Sequence, residues 1–305
     1  MSVVCLQPHM ATIADVLNRS PGLQRRLFFL ARRFVAGETV ESAIAAVATL
    51  NANGLSATVD FLGEDVHAES EATNTTQTYL QMIDRIVAAG ADCNVSVKLS
   101  AIGQAFSEDL AFENLRRIIE RARTSNMFVR LDMEGSATVD STYRILDRAS
   151  AVYEHVGPVA QAYLHRAAAD VERCIQRGLR VRLCKGAYKE PPAVAIQKMS
   201  DIRVNYLTLA QRLLVSGTYS GIATHDERLI QAVARFNVEN KVARDRFEFQ
   251  MLYGVRSRRQ RALRAEGYRV RVYVPFGTHW AGYFYRRLME RRENVLLALR
   301  GIFGG

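Results

Sequence analysis

Apolar residues recur along the chain with two different spacings. Over residues 10–50 the spacing is helical: Leu23, Leu27 and Phe34 share one face of a helix, and Val40 and Ile44 begin a second apolar stripe. From about residue 55 the pattern changes, and short runs rich in β-branched residues alternate with amphipathic stretches. Eight such runs predict strands, at residues 57–62, 95–99, 128–132, 159–164, 179–184, 221–224, 247–252 and 270–274.

The segments between these runs have helical spacing. The segment that contains Phe112, Leu115 and Ile119 follows Ser107, a residue type that commonly caps helix N-termini. Strand and helix repeated eight times predict an α/β fold of the (β/α)8 TIM-barrel type, with parallel strands and right-handed crossovers. An open doubly wound sheet is the alternative, but no G-x-G-x-x-G motif follows the first run. We expect an N-terminal helical segment over residues 1–50 and the barrel over residues 51–305, although no shift in composition marks the boundary.

The composition is that of a globular protein: of 305 residues, 49% are hydrophobic and 24% are charged. No run is apolar enough to span a membrane, and the N-terminus lacks the features of a signal peptide. The cysteines at positions 5, 93, 174 and 184 form no C-x-x-C pair and no cluster with zinc spacing. We therefore expect reduced thiols, no metal site and a cytoplasmic location. The net charge of +10 favours anionic ligands or surfaces.

Polar residues stand at or near the carboxyl ends of the predicted strands, where a barrel of this type binds its ligand. They are Asp60, Glu64, Lys98, Asp132, Glu134, Gln161, Arg182, Lys185, Thr224, His225, Asp226, Glu248, Gln250 and Tyr273. Burying a charge is costly unless it is paired or bound to a ligand. Two interpretations stay open for Lys98 and Arg182: salt bridges within the barrel, to Asp132 or Glu248, or a large polyanionic ligand at the mouth.

Several of these residues lie in segments that resemble one enzyme family. The segments are VSVKLSAIG, VRLDMEGS, QAYLHR, VRLCKGAYKEP, ATHDE, FEFQMLYG, VRVYVPFGTHW and YFYRRLMERREN, in this order between about residues 55 and 297. Together they are similar to proline dehydrogenase in its short monofunctional bacterial form. The resemblance implies a distorted barrel with FAD at its mouth and the first step of proline catabolism to glutamate. In that step L-proline is oxidised to Δ1-pyrroline-5-carboxylate by hydride transfer from proline C5 to flavin N5. A membrane quinone as electron acceptor and a separate pyrroline-5-carboxylate dehydrogenase downstream are implied as well.

The resemblance also implies roles for individual residues. Those implied for substrate binding, with the two arginines on the proline carboxylate, are Lys98, Leu252, Tyr273, Tyr283, Arg286, Arg287 and Glu290. Those implied for FAD binding, with Arg182 beside flavin N5, are Asp132, Gln161, Arg182, Lys185, Gly186, Ala187, Thr224, His225, Glu248 and Gln250. Lys98, Asp132 and Arg182 are implied to be catalytic. A guanidinium fork matches a carboxylate bidentately, which agrees with an arginine clamp on proline.

The C-terminal third is strongly basic, with many arginines between Tyr253 and Arg300 and only Glu266, Glu290 and Glu293 as acids. This charge predicts either a solvated basic face or peripheral contact with anionic lipid at the inner face of the cell membrane. A nucleic-acid-binding protein is one alternative function, but no basic–aromatic platform, helix-turn-helix or zinc finger is evident, so we expect no nucleic acid. A cofactor-free barrel hydrolase or aldolase, with Lys98 as a Schiff-base lysine, is the other.

Overall fold

The computed structural model describes residues 21–63, 66 and 68–289. Within them, strands and helices alternate as the apolar spacing predicts. The strands are β1 (Ser56–Phe61), β2 (Cys93–Val97), β3 (Val129–Leu131), β4 (Val156–Gln161), β5 (Arg182–Cys184), β6 (Ser220–Ala223), β7 (Phe247–Leu252) and β8 (Val270–Phe276). The helices are α1 (Pro21–Ala31), α2 (Val40–Ala52), α3 (Glu69–Ala88), α4 (Glu108–Arg123), α5 (Val139–Val152), α6 (Ala167–Gln176), α7 (Met199–Val215), α8 (Glu227–Glu239), α9 (Ser257–Ala265) and α10 (Trp280–Met289).

The eight strands pair in chain order, all parallel, and β1 also pairs with β8, so that the sheet closes into a barrel. The closing register places Ser56 opposite Arg271 and Phe61 opposite Phe276. The predicted (β/α)8 barrel is therefore confirmed. The open doubly wound sheet is wrong, because an open sheet would leave β1 and β8 without each other as partners.

Successive strand residues point to opposite sides of the barrel wall. In β1, Ala57 and Val59 belong to the apolar core, whereas Thr58 and Asp60 are buried polar residues. Thr58 donates a hydrogen bond to Asn94 on β2. A buried polar group is stable only when it is paired. The lumen of this barrel is accordingly built from hydrogen-bonded polar side chains, and the apolar core lies between the strands and the outer helices.

Within residues 21–289, two helices precede the barrel and one follows β8. α2 packs on β1 and β8, and its Ala43 and Val47 belong to the same core as the strands. α1 packs on α10, with the rings of Phe28 and Trp280 centred 5.6 Å apart. The helical spacing expected in the N-terminal region is thus confirmed over α1 and α2, and the division of the chain at residue 50 stays a prediction. Among the described helices, none is both long and apolar enough to cross a membrane.

Candidate active site

Asp132 joins four strands at the mouth of the barrel. It directly follows β3, and its Oδ1 accepts hydrogen bonds from the Ser96 hydroxyl at 2.6 Å and from Arg182 Nη1 at 2.8 Å. Its Oδ2 accepts one from the Tyr273 hydroxyl at 2.8 Å. The donors come from β2, β5 and β8 respectively. Of the two acids proposed as partners for Arg182, Asp132 is therefore the correct one.

Arg182 is held in one orientation by contacts on several sides. Its side chain is 8% exposed, and its Nε donates to Gln250 Oε1 at 2.5 Å. Its guanidinium carbon lies 5.2 Å from the centre of the Tyr273 ring, within the range of a cation–π interaction. A guanidinium is planar and stays charged, so these contacts fix both the plane and the position of a cation on β5.

Glu248 and Gln250 continue this network toward the amino end of β7. Gln250 Nε2 donates to Glu248 Oε1 at 2.6 Å, which fixes the amide so that its oxygen faces Arg182. Glu248 also accepts from Arg271 Nε at 2.7 Å and from the Tyr219 hydroxyl at 2.8 Å. Burial opposes the ionisation of Glu248, but the Arg271 guanidinium outweighs it and lowers the pKa of this carboxyl. The structure places these two predicted FAD contacts in the lumen, where they support Arg182.

Lys98 pairs with Asp60, and the distance from Nζ to Oδ2 is 2.5 Å. The sequence placed Asp60 at a strand end but did not include it in the site. The suggestion that Lys98 pairs with Asp132 or Glu248 is wrong, because Asp60 lies on the strand adjacent to β2, in register with Ser96. Burial raises the pKa of Asp60 to about 6, with Lys98 lowering it and Asp132 raising it.

The loop after β5 carries Lys185, Gly186 and Ala187. Gly186 has a φ of +120°, and a Cβ there would overlap the ring of Tyr163, so only glycine fits this turn. Lys185 Nζ lies 3.5 Å from Asp226 Oδ2. The loop thus brings its backbone and one cation to the carboxyl end of β5.

Gln161, Thr224 and His225 stand at the carboxyl ends of the neighbouring strands. Gln161 is 3% exposed and donates from Nε2 to the Glu134 carbonyl at 2.9 Å. His225 Nε2 accepts from the Leu252 backbone N–H at 2.8 Å. A ring nitrogen that accepts carries no proton, so the proton of His225 lies on Nδ1 and that atom is a donor.

α10 carries the predicted substrate clamp. Tyr283 belongs to an apolar cluster on α1 and α10, against which Leu252 and Tyr273 also pack. The guanidinium carbon of Arg287 lies 5.2 Å from the centre of the Tyr283 ring. Arg286 is half-buried on the same helix. The structure therefore brings the aromatic and arginine candidates of the substrate site to one helix and the strand ends next to it, while Glu290 lies outside the described residues.

A closed parallel barrel with fixed cations, carboxylates and aromatic rings at its carboxyl mouth defines an enzyme of the (β/α)8 class. A family model described as proline dehydrogenase matches residues 43–296. Proline dehydrogenase 1 of Bacillus subtilis subsp. natto is 42% identical over 272 residues, 89% of this chain and 90% of that protein. Proline dehydrogenase of Deinococcus radiodurans is 41% identical over 299 residues, 96% of each chain. The chain therefore belongs to the proline dehydrogenase family.

The solved structures agree with this assignment. Proline utilization A from Bdellovibrio bacteriovorus, inactivated by N-propargylglycine, matches with a TM-score of 0.82 and 25% identity. The match covers 92% of this chain and 34% of that one, so this chain spans about a third of its length. Family membership supports an oxidoreductase that acts on proline over the hydrolase or aldolase that the sequence left as an alternative.

Proposed function

We propose that this chain binds FAD at the mouth of its barrel, oxidises L-proline to Δ1-pyrroline-5-carboxylate there, and passes the electrons to a quinone. Membership of its family makes it an oxidoreductase that acts on proline, in the first step of proline catabolism. The observation that carries the proposal is the network of Asp132, Arg182 and Tyr273, which holds a cation, an anion and an aromatic ring at one point of the mouth.

Proline offers a carboxylate and an apolar ring, and the site offers a counterpart for each. Arg286 and Arg287 provide planar forks that match a carboxylate bidentately. Leu252, Tyr273 and Tyr283 provide apolar surface for the ring carbons, and they already pack in or against one cluster. An arginine clamp beside an apolar wall orients an imino acid, because the charged end and the ring end bind to different groups.

The amine of proline must be neutral when a hydride leaves the adjacent carbon, because its lone pair forms the new C=N bond. Positive charge near the amine disfavours the ammonium form. In this site Arg182 is paired with Asp132, and Lys98 is paired with Asp60. The positive charge that disfavours the ammonium form would come from Arg182 and Lys98, each held in place by its carboxylate, together with Arg286 and Arg287.

The donors on β4, on β5 and in the loop after β5 fit FAD. Gln161 and Arg182 are buried polar donors suited to the oxygen and nitrogen atoms of a flavin ring edge. Lys185, together with the loop that needs glycine at 186, suits a diphosphate, which calls for a cation and close backbone approach. When bound, FAD would accept the hydride from proline C5 and deliver the electrons to the quinone, while the residues of this chain orient both molecules.

The test is the anaerobic absorption spectrum of the purified protein after loading with FAD. We expect L-proline to bleach the flavin band and D-proline to leave it unchanged. Arg286→Ala should retain FAD but lose roughly 10 to 150-fold in kcat/KM, the value of a charge-assisted hydrogen bond. Arg235→Ala, an exposed arginine on α8, is the matched control. A loaded protein that L-proline does not reduce would end the proposal.

We also propose that α9 contacts anionic lipid. Arg258, Arg261 and Arg264 are exposed on this helix at spacings of three residues. Arg256 and Arg259, by contrast, pair with Glu227. An arginine near an anionic surface contributes about 1 kcal/mol to binding. Replacing the three exposed arginines with glutamine should abolish sedimentation with anionic vesicles at low salt, and unchanged sedimentation would contradict the idea.

A further inference from the structure

We propose that Asp60 is a positioning residue for proline oxidation: its carboxylate holds Lys98 at the mouth of the barrel and keeps it an ammonium ion. The proposal deepens, and rests on, the function proposed above, because Lys98 is there a residue beside the substrate. It concerns a side chain that neither the sequence motifs nor the family resemblance brought into the site.

Asp60 lies inside the barrel with no access to solvent. Its exposed fraction is 0%, and its Oδ2 accepts from Lys98 Nζ at 2.5 Å. Its Oδ1 is also buried and has no hydrogen-bond partner among the described residues. A buried carboxylate with an unused acceptor atom is costly. Ionisable groups in such costly environments cluster at functional sites, which indicates a role for this ion pair.

Asp132, a second carboxylate of the mouth, is already engaged by other donors. Asp132 already accepts three hydrogen bonds, from Ser96, Arg182 and Tyr273. It also stands close enough to Asp60 to raise the pKa of that carboxyl, although burial is the larger cause. Among the described residues, Asp60 is therefore the carboxylate that pairs with Lys98.

The groups that face Asp60 come from four elements. Lys98 follows β2, Asp132 follows β3, Tyr273 lies on β8 and Tyr79 on α3. Burial raises the pKa of both tyrosines well above the usual value, so neither of them exchanges protons with Asp60 near neutral pH. Lys98 is therefore the group whose charge depends on Asp60.

This pairing decides what Lys98 can do in the reaction. A lysine that keeps its proton cannot act as a base toward the proline amine. It can act as a donor and as a positive charge, which a reaction on a neutral amine requires. Asp60→Asn should remove the compensating charge, favour the neutral amine of Lys98 and lower kcat/KM for L-proline by about 10 to 100-fold.

A double-mutant cycle separates a positioning role from a general structural one. If Asp60 acts through Lys98, Asp60→Asn in a Lys98→Met background should change kcat/KM no further. Losses that add in the double variant would overturn the proposal. The double variant also removes both buried charges, so it should unfold at a higher temperature than Asp60→Asn alone, which leaves a buried ammonium without its partner.

Lysine NMR gives a readout that does not depend on turnover. The chain has only five lysines, at positions 98, 185, 189, 198 and 241, so 13Cε labelling yields few signals. In Asp60→Asn we expect the titration midpoint of Lys98 to move to lower pH while the other four stay. Asp92→Asn, a change at an exposed acid, is the control and should move none.

The two proposals fail in different ways. If the wild-type protein does not oxidise L-proline but the Lys98 midpoint moves, the proposed function is wrong and the ion pair stands. If the wild-type protein is active and the midpoint of Lys98 stays in place in Asp60→Asn, the positioning role of Asp60 is wrong.

Discussion

Tyr273→Phe removes one atom from the network of Asp132 and leaves the rest in place. The lost hydroxyl donates to Asp132 Oδ2 at 2.8 Å. The ring that remains still lies 5.2 Å from the Arg182 guanidinium. Burial, together with the charge of Asp132, raises the pKa of Tyr273 well above its usual value, so the hydroxyl stays a donor over the whole working range of pH.

The size of the effect follows from the burial of the acceptor. A hydrogen bond to a charged group contributes about 1.5–3 kcal/mol. The Asp132 side chain is 12% exposed, so water can replace part of the lost bond, and we expect the lower end of this range. That corresponds to roughly a tenfold loss in kcat/KM for L-proline.

The assay compares kcat/KM and thermal unfolding for two matched variants. Tyr153 donates its hydroxyl at the same distance, 2.8 Å, but to the Met127 carbonyl away from the mouth. Tyr153→Phe should therefore lower stability and leave kcat/KM unchanged. Tyr273→Phe with kcat/KM within about twofold of the wild type, well under the value of such a bond, would show that Asp132 needs no donor from β8.

Three further predictions test the lumen, the buried acid and the cofactor loop. Glu248→Gln should lower the free energy of unfolding by about 3–5 kcal/mol, because it removes the carboxylate that pairs with the buried Arg271. Urea titration measures this change. The pKa of Asp60 is raised from 3.8 to about 6 in the folded protein, so the folded protein holds this proton more tightly than the unfolded chain does. The resulting contribution to stability is complete below pH 3.8 and should fall by about 3 kcal/mol as the pH rises through 6. A flat profile between these pH values in the wild-type protein would contradict this. Gly186→Ala should lower the flavin content per protein, whereas Gly178→Ala, also at positive φ but with open space, should not.

The strands were predictable because β-branched runs alternate with helical spacing, and the errors lie at strand ends. Residues 179–181 were expected in β5, yet the strand begins at Arg182. Leu179 and Val181 are buried, and the Val181 carbonyl accepts from the Gly221 N–H of β6 at 2.8 Å, but the paired register of β5 begins at Arg182. β8 runs through Pro275 to Phe276, because these two residues pair in register with Asp60 and Phe61 of β1, and the Phe276 carbonyl accepts from the Leu62 N–H at 2.8 Å. A proline ends a strand only where the ladder requires a backbone N–H at that position, because proline has none.

The site residues were predictable as types at strand ends, but their pairing was not. Arg182 lies on β5 and Asp132 directly follows β3, and these strands are not neighbours, so their contact depends on closure of the barrel. Lys98 and Asp60 lie at the ends of adjacent strands, where the register decides which acid reaches the lysine. Sequence spacing gives neither the register nor the direction of a side chain inside the lumen.

The pairing of charges gives a reason for the proposed substrate clamp to lie on a separate helix. Two cations at the mouth are each matched by a carboxylate, which fixes them but leaves little charge for an anionic substrate. A further pair of cations inside the lumen would need two more buried carboxylates or would stay unpaired at high cost. Arg286 and Arg287 avoid this cost because α10 lies beyond the strand ends and holds them half-exposed. The barrel therefore supplies rigid, neutralised pairs, and in the function proposed above α10 supplies the cations that recognise the proline carboxylate.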